Sequence, residues 1–196
     1  MSSKSEGKRS KAISAWKQTS FSAPQALVFI LPSIASVAAA AWYYSNNHHQ
    51  KLFGGKTLLP QSSADRLAYV FKLEFYPLAT LVLAIHWVWL HRVWYPMTRN
   101  PLSGHEYLLE TAARILSNTV EQLLLHLLSV LVFALLARPE QLFWVRFAVF
   151  AFTVGRVAFW VGYSIHPKFR IPGFIWTFLP TMSLFWYNCV LVARQY

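Results

Sequence analysis

Polar and apolar positions along the chain separate into five long apolar runs joined by polar segments. The runs cover residues 24–44, 68–94, 115–137, 142–163 and 174–193. Each is close to or longer than the roughly 20 residues with which an α-helix crosses a bilayer. The predicted fold is an all-α, polytopic bundle of membrane helices in one domain. Residues 1–20 are polar and rich in Ser and Lys, a loose tail by composition. The first run contains SIASVAAAA, whose small side chains permit close helix approach. Residues 45–67 read as an extramembrane loop, in which Gly54-Gly55-Lys56 lacks the other elements of a phosphate-binding loop.

The second run ends in HWVWLHRVWYP, where Trp87, Trp89, Trp94 and Tyr95 beside Arg92 form an interfacial belt. Pro96 and Pro101 break helix in the next loop. Ser103-Gly104-His105-Glu106 resembles a helix start with an acidic first turn. The third helix is therefore expected to begin near Ser103 and enter the membrane around Arg114. A turn at Arg138-Pro139-Glu140 makes the third and fourth spans an antiparallel hairpin, and residues 166–173 turn into the fifth.

Composition agrees with a membrane domain: 56% of the 196 residues are hydrophobic and 13% charged, which excludes disorder. The net charge of +11 does not indicate nucleic acid. Lys4, Lys8, Arg9, Lys11 and Lys17 precede the first span, with Trp16 the lone aromatic of residues 1–20 for stacking. They read as a positive-inside tail within reach of anionic lipid. With the N-terminus cytoplasmic, that side also holds Arg92, Arg99, Lys168 and Arg170, against Lys51, Lys56, Arg66, Arg138 and Arg194 opposite. This predicts a cytoplasmic N-terminus and a lumenal or exterior C-terminus. The first span reads as a retained anchor rather than a cleaved leader. The single cysteine, Cys189, excludes an intrachain disulfide and is expected to be a packed thiol.

Chemistry concentrates in the third and fourth spans. Arg114, Asn118 and Glu121 are spaced by four and three residues, which sets them within about 60° of one another on a helix. Ser117 edges the stripe, and Gln122 and His126 extend polarity along a neighbouring line. Antiparallel pairing brings Arg156 to the depth of Glu121. Tyr163 shares the face of Arg156, with Gly155 and Gly162 permitting close packing beside it. Such a group either ties helices together or receives a ligand; a transport pathway is a third reading. Lys72, Glu74 and Arg146 lie toward the other membrane face, explained by snorkelling or local pairing. His86 and His91 are five apart and do not share a face, so no metal site is expected.

Arg114-x3-Asn118-x2-Glu121, followed one span later by Arg156-x6-Tyr163, resembles the signature of the MAPEG superfamily, membrane-associated proteins in eicosanoid and glutathione metabolism. The resemblance covers roughly residues 68–193, the four-helix unit, and leaves residues 24–44 as an extra N-terminal transmembrane helix. It implies a homotrimer, by analogy in the endoplasmic reticulum, with glutathione as co-substrate bound between subunits and open to the cytoplasm. Arg114, Asn118, Glu121, Arg156 and Tyr163 match glutathione-contacting positions. Arg170 falls where the family often keeps a thiolate-stabilising arginine, so Arg170 and Tyr163 are the candidate catalytic pair. The implied activity is a glutathione transferase or peroxidase acting on a lipophilic small molecule from the bilayer. Gln122, where an aromatic residue is common, and Phe159, where many members have Tyr or His, depart from the pattern. With the extra helix they resemble the divergent branch containing mattrin, for which the alternative is a non-enzymatic membrane regulator.

Overall fold

The computed structural model describes residues 23–48, 62–100 and 102–195. The basic tail and Gly54-Gly55-Lys56 lie outside the described residues. Among the described residues six α-helices follow in order: α1 Ala23–Tyr43, α2 Ser63–Leu73, α3 Phe75–Trp94, α4 Glu110–Leu136, α5 Phe143–Ile165 and α6 Arg170–Ala193. Five stretches are long and apolar enough to span a membrane, α2 and α3 together forming one of 32 residues.

Local chemistry sets the joints. Ser62 caps α2, its hydroxyl accepting from the Asp65 amide at 3.1 Å. Glu74 sits between α2 and α3, and Pro77 lacks the N–H that would bond the Leu73 carbonyl, so the long span breaks there. The start of α4 differs from the sequence expectation: it begins at Glu110, not near Ser103. Gly104 has φ 74°, in the left-handed region, which stops a helix from running through it. Glu110 rather than Glu106 then supplies the acidic first turn of the long helix. The α4–α5 turn is closed by the Arg138 amide donating to Gln141 Oε1 at 3.0 Å.

Helices α5 and α6 share the most extensive contact, and α4 packs against both α3 and α6. The close approach is made by small residues. A Cβ added at Gly155 would lie 2.7 Å from Thr177 Cγ2 and 2.9 Å from the Gly173 carbonyl oxygen. Helix α1 docks on α6, where Trp176 Nε1 donates to Ser36 Oγ at 2.9 Å and Phe29 meets the Phe169 ring edge-on. Below it, Tyr44 is buried against Phe143 and Phe147 and donates its hydroxyl to the Phe143 carbonyl at 3.2 Å.

The inward face of α4 changes character along its length. Ile115 joins Ala84, Phe159 and Tyr163 in one apolar cluster. Val130, Phe133 and Ala134 join Val70, Val145 and Leu184 in another. Between them the buried residues are Thr119, Gln122, His126 and Ser129. Cys189 is exposed on the outer face of α6, contrary to the packed thiol expected, because Leu184 and Asn188 are the positions that turn inward there.

Candidate functional site

The four- and three-residue spacing on α4 does bring Arg114, Asn118 and Glu121 to one opening. They line, with Ser117, a cleft of about 400 Å³ whose other wall is Phe159 and Tyr163 of α5 and Arg170, Ile171 and Phe174 of α6. Three helices therefore contribute, and the turn at Pro167–Phe169 places the head of α6 beside the end of α5.

The polar groups fall into an outer and an inner set. In the outer set, Arg114 pairs with Glu110 one turn earlier, Nη2 to Oε1 at 2.7 Å, with both side chains about half exposed. Ser117 donates to Glu121 Oε1 at 3.2 Å, and both residues are exposed. In the inner set, Arg156 is 2% exposed. It donates to Asn118 Oδ1 at 2.8 Å and to Thr177 Oγ1 at 2.5 Å. Its guanidinium carbon lies 4.5 Å from the Phe159 ring centroid and 5.7 Å from that of Phe152. Among the described residues no carboxylate reaches ion-pair distance of Arg156, so a net charge is buried on neutral acceptors and ring faces.

The resemblance makes Arg156 a ligand-contacting position, yet it does not line the cleft. It stands one layer deeper, behind Asn118, because its α5 face turns toward α6 where Gly155 and Gly173 let Thr177 close in. Tyr163 does line the cleft, 4% exposed, with the Arg170 guanidinium 5.0 Å above its ring. Thr177, the second anchor of Arg156, gave no signal beyond being a hydroxyl in an apolar run.

The three charges toward the other face divide. Lys72 is exposed and Arg146 bonds the Tyr69 hydroxyl, as snorkelling and local pairing require. Glu74 does not snorkel: it is 6% exposed and its pairing is across the bundle, Oε1 to His126 Nε2 at 3.3 Å.

Counting Arg114, Arg156 and Arg170 against Glu110 and Glu121, the cleft and its backing carry one net positive charge. Such a site suits a ligand with more anionic than cationic groups, held by arginine at one end and carboxylate at another. Its volume lies in the roughly 300–1,000 Å³ range of small-molecule sites.

Compared with known proteins, residues 23–190 match the family model described as the MAPEG family. The match takes in α1 as well as the helices that carry the spaced motifs. No curated protein and no solved structure matches the chain.

Proposed function

We propose, from the premise that the chain belongs to the MAPEG family, that this integral membrane protein binds glutathione in the α4–α5–α6 cleft and presents its thiol to lipophilic electrophiles. The observation that carries the reading is the joint lining of one cleft by Arg114, Asn118, Glu121, Tyr163 and Arg170. Glutathione has two carboxylates, one ammonium and one thiol, which matches one net positive charge distributed over three arginines and two glutamates.

In this reading Arg114 takes a carboxylate and Glu121 takes the ammonium, each by a charge-assisted hydrogen bond. Asn118 contacts the peptide portion, oriented by Arg156 behind it. Arg170, beside Tyr163, holds the thiol as thiolate, the nucleophilic form. The sulfur then bonds the electrophilic carbon, whose leaving group departs with the electron pair, and the thiol proton passes to solvent. Phe159 and Phe174 give the electrophile an apolar wall. The exposure of Arg114, Ser117 and Glu121 supports a homotrimer in which the neighbouring subunit completes the site. Endoplasmic reticulum membranes with a cytoplasmic N-terminus are the setting that goes with this proposal.

Calorimetric titration of the detergent-purified protein with glutathione tests it, with Glu121→Ala and Arg114→Ala as controls. Wild type is expected to bind and both variants to bind at least tenfold more weakly. A folded wild type that gives no binding heat at millimolar glutathione refutes the proposal. Light scattering of the same sample tests the trimer. A second reading, a regulator that keeps the ligand site without turnover, is favoured by Phe159, which puts a bare ring where a hydroxyl or imidazole would touch the ligand. Conjugation of a generic aromatic electrophile by wild type and Arg170→Ala separates the two.

A further inference from the structure

The donor-only chemistry of Arg156 fixes the orientation of the cleft residue in front of it. A guanidinium carries N–H donors and no acceptor. Arg156 is buried, with Nη1 2.8 Å from Asn118 Oδ1 and Nη2 2.5 Å from Thr177 Oγ1. The two ends of an amide have nearly the same shape, so the neighbouring charge makes the assignment. The Asn118 atom against Arg156 is the carbonyl oxygen, because a reversed amide would set donor against donor beside a buried charge. Arg156 itself has little freedom to turn. Thr177 is 0% exposed and can only accept from the guanidinium. The Phe159 and Phe152 ring centroids lie 4.5 and 5.7 Å from its central carbon.

Asn118 lines the cleft and Arg156 does not. With Oδ1 turned inward, Nδ2 is the end of the amide left for the cleft, and among the described residues no group accepts from it. Arg114, four residues earlier, also has donors alone, whereas Glu121, three residues on, brings a carboxylate. At about 1.5 Å per residue, α4 presents donor, donor and acceptor in that order over about 10 Å.

We infer that Asn118 determines specificity in the cleft: Arg156 holds its amide with the N–H donors forward, so it takes a carbonyl or carboxylate oxygen of the ligand and rejects a cationic group. Naming that ligand rests on the glutathione reading. On that reading a peptide carbonyl or carboxylate oxygen of glutathione meets Nδ2, and the ammonium is confined to Glu121. Arg156 touches no ligand and acts through Asn118, as a positioning residue. Thr177 anchors it from α6.

Two measurements on the full chain test this. In calorimetry with glutathione, Asn118→Asp keeps an oxygen for Arg156 but has no donor for the cleft. It is expected to fold and to bind more weakly than Asn118→Ala, which merely lacks the donor. Binding by Asn118→Asp as tight as by Asn118→Ala, or tighter, overturns the inference. In lipid bilayers, solid-state NMR with ¹⁵N-labelled asparagine side chains and glutathione ¹³C-labelled at its carbonyl and carboxyl carbons reads the contact itself. A labelled carbon is expected about 4 Å from Asn118 Nδ2 in wild type, and Arg156→Met is expected to lose that distance. If the Asp variant does not fold, this distance decides: its absence from wild type with glutathione bound overturns the inference. A wild type that gives no binding heat refutes the glutathione reading instead. The ligand-free protein then settles the orientation, since a direct N–H to N–H contact between Arg156 and the Asn118 amide overturns it and its carbonyl against Arg156 supports it.

Discussion

Gly173→Ala is expected to separate α5 from α6 and undo the anchoring of Arg156. A Cβ at position 173 would press on the Phe159 amide nitrogen and stand 2.5 Å from Phe159 Cα and 2.6 Å from the Gly155 carbonyl oxygen. Carbon contacts settle at about 3.5–4.0 Å, so the helices must part by about 1 Å. All of these are backbone atoms and none can swing aside. Thr177 lies one turn beyond Gly173 and receives Arg156 at 2.5 Å, so the same movement takes that hydrogen bond to about 3.5 Å, where it no longer holds. Overpacking costs about 1–3 kcal/mol, and loss of a hydrogen bond from a charged donor about 1.5–3 kcal/mol. Together they predict a destabilisation of about 2.5–6 kcal/mol. Denaturant unfolding in detergent, followed by tryptophan fluorescence, measures it. Gly104→Ala is the control: its Cβ meets nothing within 4 Å, and only the left-handed backbone, worth about 1–2 kcal/mol, is strained. A change below about 0.5 kcal/mol for Gly173→Ala would refute the argument that backbone contact sets the α5–α6 distance.

Arg156→Met removes two hydrogen bonds but also the cost of burying a charge without a carboxylate, and because these oppose, stability is expected to change by less than about 1 kcal/mol, whereas glutathione affinity falls at least tenfold as Asn118 loses its orientation. Calorimetry and unfolding on one sample read both. Glu121→Gln, at an exposed position, should leave stability within about 0.5 kcal/mol yet weaken glutathione binding, and raised salt should weaken wild type more than the variant. Ser36→Ala deletes the acceptor for Trp176, so α1 should loosen by about 1 kcal/mol, seen as faster hydrogen exchange of the Trp176 indole.

The spans were legible because each apolar run is as long as a bilayer is thick. Which face of each helix turns inward was not, since lipid is as apolar as Leu and periodicity loses its meaning. On α4, Leu124 and Leu128 are exposed while Gln122 and His126 are buried, the reverse of a water-soluble helix. The polar spacing of Arg114, Asn118 and Glu121 survived this because charges have few tolerable positions. Arg156 was placed at the right depth but one layer too far out, as helix rotation depends on the Gly155–Gly173 crossing, visible only when α6 is in place. Glu74 escaped for a related reason. Its direction is set by the break before Pro77, and no spacing within α2 or α3 points to His126 on α4.

That no carboxylate among the described residues reaches Arg156 also bears on how the chain is made. Helices emerge in order, so α5 reaches the membrane carrying a guanidinium while Thr177 is still inside the ribosome. An arginine at mid-helix costs about 2.5–3.5 kcal/mol on insertion. At that moment Asn118, on the preceding helix, is the one side-chain acceptor available of the two it finally uses. Helices α4 and α5 must therefore enter as a hairpin, and α6 completes the bond network after both. Until α6 follows, the α4–α5 hairpin is a half-satisfied intermediate, the stage at which membrane quality control has most to recognise.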